Sequence, residues 1–361
     1  MRLTLATFPA RFRMRFAHGS ASRAETENVI CVAEEDGLTG VGEGCPRAYV
    51  TGETVATAAR FFAKHRASLG TVGDIAGLGA WIGDNAAAVS LNPAAFAAIE
   101  LALIDLFARR AGQGIEPYLG LPPARPAAIS AVFGVTGRNA AAAMATGYRL
   151  FAMTDAKVKV SPDHVADRAR LSLIRRILGD GARLRIDANN LFSDPGTCIA
   201  HVTALGLPVW AIEEPLAARD FAGMEVIAQA TGARIILDES ATRIADLERL
   251  DGPRWIVNLR VSKLGGLIRS LEMLRVARER GLGVIVGCHV GETSLLTRAA
   301  LALAAAGGES VQAVECAYGG YLLAHDLTRP SLRFGRGGVV TPPNGVGLGL
   351  VADRSLLRPV S

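Results

Sequence analysis

Three acidic residues recur through the middle of the sequence, each directly after a short apolar run: Asp187 in RIDAN, Glu213 in AIEEP and Asp238 in ILDES. Their separations are 26 and 25 residues, each the length of one β-strand, loop and helix. A lone acid in such a place is most often a helix N-cap or a solvated loop residue. Three at one repeat length instead put three carboxylates at one level of a sheet, where they repel and lose hydration at high cost. A hard divalent cation removes that conflict, and an all-oxygen ligand set favours Mg²⁺ over zinc or copper. Lys157 and Lys159 in KVKV are two apart, and on a strand such residues face the same side. Each ammonium disfavours charge on the other. The pair therefore predicts a lysine brought down from about 10.4 toward the range of a general base. Arg260 in NLRVSK and Glu292 in VGCHVGET close two later apolar runs.

Residues gathered in this way need strands of equal pitch to carry them. Apolar runs lie at Ala128–Val135, Ala156–Val160, Leu184–Ile186, Val209–Ile212, Ile235–Leu237, Trp255–Leu259, Val284–Val286 and Val311–Val314, alternating with helical stretches. That pattern predicts a (β/α) barrel, whose active sites gather at the C-terminal ends of its strands. A doubly wound open sheet competes, but its Gly-rich phosphate turn is absent: Ala131–Gly137 holds glycines and no GxGxxG. The first part of the chain reads as α+β, with strands at Arg2–Phe8, Thr26–Glu34 and Val41–Glu43, a turn punctuated by Gly37 and Gly40, and Ala-rich helices from Thr54 to Arg110. Gly112–Pro126 is the linker candidate. The division expected is a capping domain over 1–120, completed by the tail at 325–361, and a barrel over 125–324. The irregular stretch from Phe334 to Leu350 is expected to fold back on the first domain.

Composition excludes other classes. The chain has 361 residues and a net charge of +5, with its basic residues scattered. Nucleic-acid binding needs a concentrated basic stripe, so none is expected. Mean hydropathy is +0.28, yet the most apolar helical stretch, Ala94–Ala108, carries Glu100 and Asp105 and is too short to span a bilayer. It reads as a buried helix. Met1–Phe16 lacks the apolar run of a signal peptide. Five dispersed cysteines without a CxxC pair argue for reduced thiols and a cytoplasmic enzyme.

Taken together, these residues resemble the enolase superfamily and, within it, the muconate-lactonizing-enzyme subgroup. The resemblance runs through HGSASRAETENV (His18–Val29), PRAYVTGET (Pro46–Thr54), KVK, DAN, EEP, DES and LRVSKLGG (Leu259–Gly266) to the GLGL tail. It implies a modified (β/α)7β TIM-type barrel with an N-terminal α+β capping domain, and symmetric oligomers. It also implies removal of the proton α to a substrate carboxylate through an enediolate. Asp187, Glu213 and Asp238 would hold Mg²⁺, Lys159 would be the acid/base and Lys157 its support. His18, Arg23 and Tyr49 in the capping loops, with Glu292, would contact a small carboxylate substrate.

The sequence departs from the subgroup in three places. Arg260 stands where a second lysine is usual, and arginine stays protonated. One-sided cycloisomerisation or elimination is therefore the leading expectation, and racemisation or epimerisation of an amino-acid or dipeptide derivative the alternative. Lys263 could supply the missing base only from a distorted strand end. The paired acids that hold a substrate amine in dipeptide epimerases are missing from VECAYGGYLLAHD, which offers Glu315. Glu214 replaces a common Gln. A non-catalytic binding protein on the same fold is a further alternative.

Overall fold

The computed structural model describes residues 1–18 and 21–360, with the side chains of residues 14–18, 21–24 and 26 outside that description. The N-terminal part is a long antiparallel ribbon, Arg2–His18 against Ala21–Glu35, with Leu38–Gly44 on its far edge. Both long strands run well past the predicted ends, in keeping with the alternation of arginine and apolar residues in RFRMRF. Gly40 is not part of a turn. It lies within the third strand, and a Cβ there would sit 2.2 Å from the Ala102 carbonyl oxygen. The strand needs glycines at alternate positions to lie directly on the helix Pro93–Arg110.

That helix is buried continuously from Pro93 to Ala108, between the ribbon and the barrel. Its two interior acids are docking groups. Glu100 accepts from the backbone N–H groups of Leu267 (2.5 Å) and Ile268 (2.9 Å), at the start of the barrel helix Leu267–Glu279. Asp105 accepts from Val41 and Leu348. No helix among the described residues is long and apolar enough to cross a membrane.

The barrel has eight parallel strands in sequential order: Ala131–Phe133, Asp155–Lys159, Arg183–Asp187, Ala211–Glu213, Arg234–Leu237, Trp255–Leu259, Gly283–Val286 and Val311–Val314. Ser130 N–H donates to the Val314 carbonyl and ties the first strand to the last. Ala211, Ile236, Ile256 and Ile285 pack as a dry plug inside the barrel. Helices return the chain between strands, shortened after the fifth to the single turn Ile244–Leu247. This is the expected TIM-type barrel with an N-terminal cap. The tail pairs Arg358–Pro359 with the first strand of the ribbon, and Arg109 donates to the Leu350 carbonyl.

Candidate active site

Parallel register brings the chemistry together. Lys159 is the Cα partner of Asp187, and Asp187 of Glu213, so one level of the sheet carries a lysine and two carboxylates. Glu213 pairs with Ile236. Asp238 follows two residues later, on the same face and one step nearer the mouth. The three acids are 2%, 1% and 1% exposed in chain order. Lys159 Nζ lies 3.1 Å from Asp187 Oδ2 and donates to Asn189. Lys157 Nζ is 2.7 Å from Glu315 Oε2, 3.3 Å from Glu213 Oε2 and 3.9 Å from Asp187 Oδ2. Arg260 donates to Asp238 and comes within 3.7 Å of Glu213.

The electrostatics follow from this crowding. Burial favours the neutral amine of Lys157, but Glu213, Glu315 and Asp187 outweigh it and hold its pKa above the ordinary lysine range. The expected depression by a neighbouring lysine is thus reversed: Lys157 is a counter-ion among carboxylates. Burial pushes Glu213 up to about 7, against the pull of Lys157 and with Asp187, Glu315 and Asp238 adding to the rise. Burial also opposes ionisation of Asp238, yet Arg260 and Lys263 outweigh it and keep that carboxyl below its usual range.

Lys263 is committed elsewhere than to catalysis. Its Nζ is 2.8 Å from Asp238 Oδ1 and donates to the carbonyls of Asp238 and Asn258. Three residues past Leu259's neighbour Arg260, it sits in the short helix Val261–Leu264, behind Asp238. Glu214 accepts from the Asp238 and Ser240 backbone N–H groups at 2.6 and 2.7 Å. It shapes the loop that presents Asp238 and is turned away from the mouth. Glu315 is also spent inside the barrel, on Lys157 and, at 2.6 Å, on Arg185. Arg185 and Asn258 were not singled out from sequence, although each shares the strand parity of a residue that was. Asn258 Nδ2 donates to Glu213 Oε1 at 3.0 Å.

Glu292 is 6% exposed, accepts from the His289 N–H at 2.6 Å, and is pushed by burial up to about 8. Tyr49 is 43% exposed on the Arg47–Thr51 loop. The side chains of His18 and Arg23 lie outside the described residues. Arg47 is 2% exposed and ties that loop to Asn28 and to the Val290 carbonyl beyond the seventh strand.

Two kinds of unrelieved cost mark the mouth of the barrel. Among the described residues, buried polar atoms without a hydrogen-bond partner include Glu213 Oε2, Glu239 Oε2, Asn258 Oδ1, Arg260 Nε and both ring nitrogens of His289. Asn189, Asn190, Glu214 and Ala317, all just beyond strand ends, have positive φ. Unpaired buried groups and backbone strain of this kind gather where a ligand is to be held. The three acids are the donor set that suits a hard cation, being all-oxygen, buried and carried on neighbouring strands, and Glu213 Oε2 has no hydrogen bond. As they stand, Lys159 and Arg260 lie on the two outer carboxylates, and among the described residues no three acid, histidine or cysteine groups are arranged so that they could hold a metal ion.

Residues 136–356 match the family model described as enolase C-terminal domain-like. The chain belongs to the enolase superfamily. The hydrophobic dipeptide epimerase of Roseobacter litoralis is 30% identical over 311 residues, 82% of this chain and 84% of that protein. The L-Lys-D/L-Arg epimerase of Methylococcus capsulatus is 29% identical over 348 residues, 91% of this chain and 95% of its own. A solved dipeptide epimerase from Methylococcus capsulatus, complexed with Mg and the dipeptide L-Arg-D-Lys, is 26% identical. It covers 97% of this chain and 99% of its own, with a TM-score of 0.84. These relatives favour the epimerase alternative over the one-sided cycloisomerase or lyase chemistry that Arg260 led the sequence to put first.

Proposed function

We propose that this superfamily member, an enzyme of isomerase type, epimerises a dipeptide or closely related amino-acid derivative by removing the proton α to its carboxylate. The observation that carries the reading is the shared register of Lys159, Asp187 and Glu213, with Asp238 one step above them. Asp187, Glu213 and Asp238 would hold Mg²⁺, which when bound supplies positive charge toward the substrate carboxylate.

The chain's own groups do the rest. Lys159, 16% exposed where Lys157 is 5%, is the more open amine and takes the Cα proton on its side of the site. Lys157 stays charged between Glu213 and Glu315 and opposes negative charge developing on the substrate carboxylate. Arg260 adds fixed positive charge from the sixth strand and, being always protonated, takes no proton itself. Glu315 serves Lys157 and Arg185, so a substrate amine would have to be recognised elsewhere. The relatives' names support the dipeptide class, and the missing acid pair favours substrates whose amine is not the main handle.

The test is a panel of L,L-dipeptides with hydrophobic, basic and acidic residues, plus N-acylated amino acids, incubated with the protein and Mg²⁺ in deuterated water. Inversion at one α-carbon with deuterium incorporation is the expected result. Ring closure or elimination products without inversion from any carboxylate substrate would reinstate the one-sided reading.

A further inference from the structure

We propose that the seam between the cap and the barrel holds a second ligand site, for a phosphate group, outside the mouth that carries the proposed chemistry. The proposal goes beyond the epimerase reading and does not depend on which carboxylate the mouth takes.

A cavity of about 260 Å³ opens in that seam. From the cap it is lined by Thr51, on the Arg47–Thr51 loop, and by Ser90, on the short helix Ala86–Leu91. The barrel contributes Arg219 after the fourth strand, Thr242 and Arg243 after the fifth, and Lys263 and Arg269 after the sixth. Four of these side chains are cations, and among the described residues no aspartate or glutamate lines the cavity.

Two acids reach the cations from outside it. Asp246 serves both Arg219 and Arg243 at 2.9 Å, and Asp238 Oδ1 serves Lys263 at 2.8 Å. Four cations against two acids leave an excess of two positive charges. Arg269 is the least compensated. Its Nη2 donates to Ser90 Oγ at 3.0 Å, while its Nη1 is buried without a hydrogen-bond partner. It forms no salt bridge among the described residues, and burial opposes its charge more strongly than Glu272 and Glu100 favour it. Charges removed from water are ordinarily paired, so the cavity lacks an anion.

The donors suit phosphate. Guanidinium groups bind oxyanions through paired N–H donors. A phosphate group carries about −1.5 to −2 at pH 7, which matches the excess, whereas one carboxylate supplies half of it. Hydroxyls complete the set: Thr242 Oγ1 accepts from Arg219 and Ser90 Oγ from Arg269, so each keeps its own proton to donate. Arg219 is held in advance by Asp246 and by its backbone N–H on Ser240 Oγ at 2.8 Å, which lowers the ordering cost of binding. Lys263 both lines the cavity and bonds Asp238, so the phosphate lies beside the loop of that acid. It would tie the cap to the barrel loops after three consecutive strands.

Thermal melts at constant ionic strength test this, with inorganic phosphate, glycerol 3-phosphate or chloride added, in the presence and absence of Mg²⁺. Phosphate should raise the melting temperature saturably, beyond any effect of chloride, and should do so without Mg²⁺. Arg269→Gln and Arg243→Gln should each weaken the apparent affinity by about 10- to 100-fold. Ser90→Asp, at an exposed position, supplies Arg269 with a fixed carboxylate and should also lose the phosphate response. That variant keeps the test independent of whether the arginine variants fold. A tighter response to glycerol 3-phosphate than to inorganic phosphate assigns the site to a phosphorylated small molecule, and the reverse order to free phosphate. A response no larger than that of chloride would overturn the proposal. So would one that requires Mg²⁺, or one that survives in both Arg269→Gln and Ser90→Asp.

Discussion

Beneath the site, Glu315 stands between Lys157 and Arg185 at 2.7 and 2.6 Å, inside the barrel. Burial alone would raise its pKa, but the two cations outweigh burial and push it down to about 2 from the usual 4.5. A carboxyl depressed in the folded state contributes stability that is present above pH 4.5 and is lost as pH falls toward 2. Glu315→Gln should therefore flatten the acid limb of the stability curve. It should also cost about 3–5 kcal/mol at neutral pH, because two buried cations lose their partner. Urea titrations of both proteins between pH 2 and 7 measure this; an unchanged acid limb would show that Glu315 is not the group holding the cations. Glu315 was the least legible residue in the sequence for a physical reason. Its role depends on neighbours far along the chain, Lys157 lying 158 residues away. The acids and lysines at strand ends were legible because the period of a strand and the length of a βα unit place them without knowledge of anything distant.

At the scale of elements, the ribbon strand Leu38–Gly44 meets the helix Pro93–Arg110 through glycines. A Cβ on Gly42 would come 2.2 Å from the Ala98 carbonyl oxygen and 2.4 Å from the Ala102 nitrogen, contacts that only backbone displacement could relieve. Gly42→Ala should destabilise by about 1–3 kcal/mol. Gly73→Ala, with open space around its Cβ position, should change stability by less than about 0.5 kcal/mol. Equal effects in denaturant melts would remove close approach as the reason for glycine. The sequence showed the glycines but not the helix that demands them, so Gly40 read as a turn. Most barrel strands were legible to within two residues, Trp255–Leu259 and Val311–Val314 at both ends, since a strand buried on both faces is a continuous apolar run; the first was overread, spanning only Ala131–Phe133 of the expected Ala128–Val135. The ribbon ran longer than predicted because its outer half alternates arginine with apolar residues and gains its pairing from its own partner strand.

Over the whole molecule, the cap is built into the barrel rather than laid upon it. Glu43, fully buried, accepts from Thr293 and from the Leu296 N–H at the start of the helix Ser294–Gly307. Arg47 reaches the same loop, so the segment bearing His289 and Glu292 is held by the cap on one side and by the seventh strand on the other. The fold class was visible from the pattern of strands, and the residues proposed as metal ligands and acid/base from the strand ends. The direction of the chemistry was not, because Arg260 argues for one base while the relatives, epimerases by name, argue for two. All of it depends on Lys159 acting beside a metal held by Asp187, Glu213 and Asp238. The most direct measurement is α-proton exchange into deuterated water from a turned-over carboxylate substrate, followed with Mg²⁺, with chelator, and with Lys159→Ala. Exchange from one stereoisomer should fall by about 10²- to 10⁴-fold on losing Lys159 and stop on losing the metal. Exchange that persists undiminished from both stereoisomers in Lys159→Ala would contradict the account.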